Sequence, residues 1–470
     1  MILSAIISSS LLITILSLAY ILTVTGVIAL IVMENRNPLK SLAWITVLLL
    51  LPAVGLIIYL FFGRNLRNRR MISRRRRRRL INAIKPEPQS GNCSRDRQLS
   101  PEAHSLVTVA HSLDASQFFE GNSAKVFTSG AEKFEALKAD IAEAESYILL
   151  QYYIIEDDRL GNEISDLLIA AARRGVSVRV IYDDLGSLKV ANSFFSRMKE
   201  AGVEVYPFFK LTFPHFASRA NWRNHRKLCV VDGRVGYIGG MNIAERYIDG
   251  GSKFPLWRDT HMRVTGPVVA ALHYSFAVDW NFMGQPLIEH KVAEFKPSIT
   301  PDTCGMQLIT GGPTDRWGNL RYWLIKAIAT ARKRVFIQTP YFLPSEGLLN
   351  ALQVAALSRI DVRVMIPEHS DSPMLTYASR SYVQECLRAG IKVYFYKAGM
   401  LHSKMAIIDD DISTIGSTNF DFRSFEHNFE ANMLIYSPDM NRQLRNIFDA
   451  DQRHSTRIIF HTWRRRPILH

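Results

Sequence analysis

Histidine, lysine and aspartate occur twice in this chain at one spacing. His225-Arg226-Lys227-Leu228-Cys229-Val230-Val231-Asp232 and His402-Ser403-Lys404-Met405-Ala406-Ile407-Ile408-Asp409 both read His-x-Lys-x-x-x-x-Asp. The first is followed by Ile238-Gly239-Gly240-Met241-Asn242 and the second by Ile415-Gly416-Ser417-Thr418-Asn419. Residues i and i+2 of a strand share a face, so each histidine projects with its lysine. A phosphodiester is anionic and repels nucleophiles, and two lysines supply the fixed positive charge its oxygens need. Asn242 and Asn419 are further candidate donors. One neutral imidazole can attack phosphorus while a protonated one hands a proton to the leaving alkoxide. That route passes through a phosphohistidine and requires no metal or other cofactor. The competing reading, two strand histidines satisfied in a core, does not account for matched flanks in both halves. The candidate catalytic sets are therefore His225, Lys227 and Asp232 with His402, Lys404 and Asp409.

The motifs resemble those of the phospholipase D superfamily, and the wider text resembles its bacterial cardiolipin synthase family of two-span, membrane-anchored type. The residues that carry the likeness in the first half are Gly239-Gly240-Met241-Asn242-Ile243, Trp257-Arg258-Asp259 and Asp279-Trp280. In the second half they are Gln338-Thr339-Pro340-Tyr341-Phe342, Asn419-Phe420-Asp421-Phe422-Arg423-Ser424 and Asn428-Phe429-Glu430. The resemblance implies two similar α/β lobes about a pseudo-two-fold axis, with both motifs at the seam. It implies that His225 is the nucleophile and His402 the general acid. It also implies the reaction: one phosphatidylglycerol gives its phosphatidyl group to another, releasing cardiolipin and glycerol.

Each catalytic histidine needs its second ring nitrogen fixed by an acceptor. Asp232 and Asp409 lie five residues beyond the lysines, too far along a strand at about 3.3 Å per residue, and are expected to brace backbone or pair with basic side chains. Glu430, 28 residues after His402, matches the family position that supports the histidine, and Asp259, 34 after His225, is its expected counterpart. Arg423 and Ser424 are expected to support the second motif, and Gln151 and Gln338 to line the cleft floor.

The chain has 470 residues, enough for two lobes and an anchor. Its net charge is +15, and ten arginines between Arg64 and Arg79, without one acid, supply two thirds of it. Four scattered cysteines form no Cys-x-x-Cys pair, which argues against structural zinc and a disulfide framework, and Cys229 reads as buried filler. No charge appears from Met1 to Met33 or from Ser41 to Gly63, and each stretch exceeds the roughly 20 apolar residues that cross a bilayer. The uncharged start and the immediate second span argue against a cleaved signal peptide. Two membrane helices are expected, with Pro52 tolerated in the second. The arginines after the second span predict a cytoplasmic catalytic region on a bacterial inner membrane. The expected divisions are 1–63 for the helices, 64–99 for a polybasic linker, 100–300 for the first lobe and 301–470 for the second.

Both halves repeat one order of strands and helices, which predicts an α/β sheet with helices on its faces. Tyr147 to Ile155 and Gly175 to Tyr182 read as strands about a helix, as do Arg334 to Thr339 and Ile360 to Ile366. The interval Gly202 to His225 is 23 residues against 12 for Gly390 to His402. The excess contains Phe208, Phe209, Phe213 and Phe216, expected as a lip giving lipid access to the cleft. Three other activities share the motifs: hydrolysis of phospholipid to phosphatidic acid, transfer from another lipid donor, and a membrane-tethered nuclease. The expected partners are phosphatidylglycerol and the membrane, and no nucleic acid.

Overall fold

The computed structural model describes residues 2–33, 38–59, 99–210, 221–288 and 304–466, with a few positions between 63 and 80. Two compact units result. The smaller contains the N-terminal helices. Helix Ile2–Met33 carries no charge, and its 13–33 portion is long and apolar enough to cross a membrane. The second apolar stretch is not one helix: Pro38–Leu50 stops, and Pro52–Ile58 begins after Leu51 at φ −128°, ψ 69°. A proline forces the residue before it out of the helical region. The expected uninterrupted second span is thus broken at Pro52.

The larger unit begins with helix Pro101–Asp114. Ser100 caps it, its hydroxyl accepting from Ala103 N, and proline occupies the first turn, where its missing N–H costs nothing. Its apolar face, Ala103, Leu106 and Ala110, packs with Leu320, Trp323 and Leu324 in the core of the second half. The expected first-lobe boundary at residue 100 is therefore displaced: packing assigns this helix to the second lobe.

Lobe 1 contributes strands β1 (Phe118–Phe127), β2 (Tyr147–Tyr152), β3 (Ser177–Asp183), β4 (Glu204–Phe208), β5 (Arg223–Asn224), β6 (Leu228–Val231), β7 (Val235–Gly239), β8 (Trp257–Arg258) and β9 (His261–Thr265). Lobe 2 contributes β10 (Cys304–Gly311), β11 (Arg334–Gln338), β12 (Phe342–Leu343), β13 (Asp361–Pro367), β14 (Lys392–Tyr396), β15 (Met400–Leu401), β16 (Met405–Ile408), β17 (Ile412–Gly416), β18 (Phe420–Asp421), β19 (Asn428–Tyr436) and β20 (Ser455–Arg457). The sheet runs β4-β3-β2-β6-β7-β9-β1 in lobe 1 and β10-β19-β17-β16-β11-β13-β14-β20 in lobe 2. Antiparallel pairing of β1 with β10 joins them, Phe118 opposite Gln307. Exchanging β1 with β10, β9 with β19, β7 with β17, β6 with β16, β2 with β11, β3 with β13 and β4 with β14 reproduces the order, so the repeat is a pseudo-two-fold. Within each lobe three strands are parallel, β2-β3-β4 and β11-β13-β14, and the motif hairpin pairs antiparallel to the first of them.

The periodicities explain the parts. Strand β2, Tyr-Ile-Leu-Leu-Gln-Tyr, is buried at every position, as a central parallel strand covered on both faces must be. Helix Arg159–Arg173 returns the chain to β3 with Leu160, Ile164 and Leu168 on its buried face, and Asp158 caps it by accepting from Gly161 N. Strand β4 ends at Phe208. It lies at the lobe edge and pairs only with β3, where Pro207 removes no needed donor.

Candidate active site

Two-residue strands bring the motifs together. Parallel to β19 runs β5, with Arg223 opposite Asn428, and parallel to β8 runs β15, with Met400 opposite Trp257. Each ladder continues by one bond: His225 N donates to Phe429 O at 2.9 Å, and His402 N to Arg258 O at 2.7 Å. The next residues on the partner segments are Glu430 and Asp259. Each motif histidine therefore enters the seam beside an acid of the opposite lobe.

The side chains complete the crossing. His225 Nδ1 lies 3.0 and 3.1 Å from the two Glu430 oxygens, and His402 Nδ1 lies 2.6 Å from Asp259 Oδ2. The sequence spacing had grouped Glu430 with His402 and Asp259 with His225; the structure exchanges the partners. With Nδ1–H donating to a carboxylate, Nε2 of each ring keeps its lone pair for chemistry. Glu430 also accepts from the Ser417 hydroxyl and from Asn428 Nδ2, while Asp259 Oδ1 accepts from Thr260 N. Gly240 holds the position in lobe 1 that Ser417 holds in lobe 2. A Cβ there would stand 2.1 Å from Asp259 Oδ1, so glycine lets the carboxylate approach.

Burial dominates the electrostatics. It lowers both imidazoles to about 4, with Lys227 and Lys404 acting in the same sense and the two acids recovering only part of the loss. Burial likewise lowers Lys404 to about 8, against the pull of Asp259 and Glu430, and takes Lys227 well below its usual range. Burial raises the two acids, but His225 and Lys227 beside Glu430, and Lys404 and His402 beside Asp259, outweigh it and hold both below the ordinary carboxylate range. The charge of Lys404 is felt at His225 and at Lys227, so the two motifs form one electrostatic site. Lys227 Nζ donates to His225 O at 2.6 Å, and Lys404 Nζ to His402 O, with His402 Nδ1 2.7 Å away. Around this cluster, Tyr153 meets His225 edge-on at 5.0 Å, and Tyr247 and Trp257 flank His402 at 5.9 and 5.6 Å.

The other expected site residues hold structural partners. Asp232 accepts from Glu145 N, Ser146 N and Tyr147 N, and Asp409 from Arg332 N, Lys333 N and Arg334 N. Both sit at positive φ, 51° and 50°, a conformation aspartate tolerates better than most side chains. They splice the motif hairpin to the start of β2 or β11 and stand at the far end of the strand from the histidines. Counting them with the catalytic sets is corrected: their carboxylates brace backbone. The Asn242 amide is likewise occupied, accepting from Ile154 N and donating to Tyr247 OH at 2.7 Å. Ser424 Oγ accepts from Asn419 N, while Arg423 is exposed. Cys229 is fully buried in the lobe 1 core.

Of the expected lip, Phe208 is turned inward and Phe209 is partly buried. Phe208 is fully buried, and Phe209 packs edge-on against it at 4.7 Å and against Phe282 at 5.7 Å. Phe213 and Phe216 lie outside the described residues.

Sequence reasoning missed a pair of arginine clamps. Arg226 Nε donates to Glu430 O at 3.1 Å and its Nη1 to Asp279 Oδ1 at 2.6 Å. Beside the other histidine, Arg258 Nη1 donates to Asp259 O at 2.6 Å and its Nη2 to Asp451 Oδ2 at 2.8 Å, although the position matching Arg226 in the second motif is Ser403. Gln151 and Gln338, expected on the cleft floor, instead donate to Asp279 and Asp451. Each guanidinium thus grips the main chain of one histidine-binding acid. The signal was present in the repeat, since Asp279 and Asp451 close the corresponding helices Val269–Phe282 and Pro438–Arg453. Among the described residues, no group of three or more His, Cys, Asp and Glu side chains is arranged to hold a metal ion.

Comparison with known proteins agrees with this architecture. The family model described as "Cardiolipin synthase, PLD-like domain" matches residues 137–252 and 324–452, one segment in each lobe. A second model, "Phospholipase_D-nuclease N-terminal", matches residues 13–64. A cardiolipin synthase of Alkalihalophilus pseudofirmus is 38% identical over 464 residues, covering 97% of this chain and 91% of its own. The major cardiolipin synthase of Bacillus subtilis (strain 168) is 37% identical, covering 96% of this chain and 95% of its own. Among solved structures, a phosphatidylserine synthase from Haemophilus influenzae Rd KW20 shares the fold at a TM-score of 0.60 and 15% identity, over 75% of this chain and 92% of that one. Two lobes of one design, a histidine from each at the seam, and full-length likeness to curated enzymes lead to one statement: the chain belongs to the cardiolipin synthase family of phospholipase D-like phosphatidyltransferases.

Proposed function

We propose that the chain joins two phosphatidylglycerol molecules into cardiolipin and glycerol by double displacement at His225. The observation that carries the reading is the crossed pair of imidazoles, each bound through Nδ1 to a carboxylate of the opposite lobe. In the first step His225 Nε2 attacks phosphorus and the bond to the headgroup glycerol breaks. His402 passes its Nε2 proton to the departing alkoxide. In the second step neutral His402 takes the proton of a terminal hydroxyl on the second lipid, whose oxygen displaces the histidine. One phosphodiester replaces another, so no nucleotide is consumed.

Lys227 and Lys404 neutralise the non-bridging oxygens, which removes the repulsion between anion and nucleophile. His402 suits the acid's role because Asp259 backs it at the shorter distance, 2.6 Å, whereas Glu430 divides its charge among His225, Ser417 and Asn428. A bound phosphodiester adds the negative charge that favours the proton on His402. Phospholipid chemistry and membrane association go with the family. The further reading is a two-span anchor, with the polybasic stretch and catalytic body on the cytoplasmic side of a bacterial inner membrane; the uncharged 13–33 helix and the arginines after residue 63 support it.

The test is purified protein with labelled phosphatidylglycerol and no nucleotide. Cardiolipin and free glycerol in equal amounts are expected. Phosphatidic acid in their place would assign the chain to hydrolysis, and transfer only from phosphatidylethanolamine would change the donor.

A further inference from the structure

Exposed apolar side chains stand on segments that follow site-building strands in both lobes. The loop after β3 exposes Leu185 (37%) and Leu188 (65%), and helix Pro373–Ser381, which follows β13, exposes Met374 (74%) and Tyr377 (57%). Because β3 and β13 are two-fold counterparts, these are one feature built twice. Two more come from lobe 2: Trp317 (44%), in the loop after β10, and Phe422 (52%), directly after β18.

Each loop is tied to a group at the histidines. Asp183 Oδ1 accepts from Leu185 N and Gly186 N, while its Oδ2 accepts from Asn224 N, the residue before His225. Asp371, two residues before helix Pro373–Ser381, accepts from Tyr341 OH at 2.6 Å, and its charge is felt at His402 and Lys404. The charge of Arg423, beside Phe422, is felt at Tyr153, the ring against His225. Asp315, two residues before Trp317, feels Arg226. Leu185, Leu188, Met374 and Tyr377 thus stand on segments hydrogen-bonded to residues at the two histidines, and Trp317 and Phe422 stand beside charges that act on the same site.

Scattered exposed apolar residues are ordinary, but six on four segments tied to one site are a surface. Exposed Lys189, Arg316 and Arg423 stand beside Leu188, Trp317 and Phe422, and the Arg316 guanidinium lies 5.0 Å from the Trp317 ring. Aromatic rings and long cations side by side suit the water–lipid boundary, where rings enter the headgroup layer and cations meet phosphate. A protein seated on this ring would cap the cleft. A surface that covers the ring and still delivers a phosphodiester to the histidines must itself carry the substrate.

We infer that this rim is the face that seats the catalytic body on an anionic phospholipid bilayer, its apolar side chains entering the interface. The inference rests on the reading of the substrate as a membrane phospholipid.

The test uses the full chain in phosphatidylglycerol proteoliposomes and, in parallel, in detergent–lipid mixed micelles. Replacing Leu188, Met374, Tyr377 and Phe422 together by serine is expected to cut the vesicle-to-micelle turnover ratio at least tenfold. An unchanged ratio overturns the inference. The second measurement does not depend on turnover: emission lost in Trp317→Phe reports Trp317 alone. Lipids brominated near the headgroup are expected to quench that component and aqueous iodide to leave it. Iodide quenching without a bromine effect overturns the inference even in an active protein. If the unaltered chain makes no cardiolipin in micelles while bromine still quenches Trp317, the chemistry proposed above fails and the docking face stands.

Discussion

At the scale of residues the account turns on two carboxylates that orient imidazoles they do not share a lobe with. Replacing Glu430 by Gln or Asp259 by Asn preserves shape and removes charge, and turnover is expected to fall about 10²- to 10⁴-fold, the range seen when a histidine loses its orienting acid. Gly240→Ala tests the same point indirectly. Its Cβ would meet Asp259 Oδ1 at 2.1 Å, so turnover should drop roughly 100-fold while circular dichroism stays native; native turnover would show that Asp259 tolerates displacement. The lysines give a pH test. Lys404, lowered to about 8 by burial, is charged below that pH and neutral above it. Inhibition by inorganic phosphate should therefore weaken as pH rises through about 8, and an inhibition constant flat to pH 10 would contradict it. The histidines act on stability with the opposite sign. Their folded value of about 4 lies below the unfolded 6.5, so the unfolded chain binds protons first and stability falls as pH drops from about 6.5 towards 4. The loss is on the order of 3 kcal/mol per ring, to be read from urea midpoints of the unaltered chain against His402→Gln.

At the scale of elements, the motif aspartates show how far spacing can be read. Their distance from the lysines placed them away from phosphorus, and each accepts three backbone N–H bonds from the turn before β2 or β11. Asp232→Ala strands those donors and puts alanine at positive φ, so a loss of about 3 kcal/mol or more is expected, with native turnover at low temperature. Lost turnover at unchanged stability would return the carboxylate to the chemistry. Long apolar strands were legible because burial on both faces leaves an unmistakable run, as in Tyr147–Tyr152. The crossing of acids was not, because β5, β8 and β15 are two residues each, below any periodicity, and their partners are distant in the chain. Phe208 ends the edge strand β4, which tolerates Pro207, and its ring packs against Phe429.

At the scale of the molecule, one sheet spans both lobes, and the histidines belong to a site that neither lobe could build alone. The duplicated motif announced this division, but it could not assign helix Pro101–Asp114, which precedes lobe 1 and packs in lobe 2. Because both histidines of a site come from one chain, mixing His225→Ala with His402→Ala chains should restore less than about 1% of activity, short of any exchange of lobes between chains. Substantial recovery would mean that sites form between chains. The deciding measurement stops the unaltered chain during reaction with phosphatidylglycerol in alkaline denaturant, where a phosphorus–nitrogen bond survives, and maps the bound phosphorus. Phosphorus is expected on the peptide containing His225, and none in His225→Ala. Phosphorus on His402 in His225→Ala, or full turnover with no bound phosphorus in the unaltered chain, would contradict that assignment.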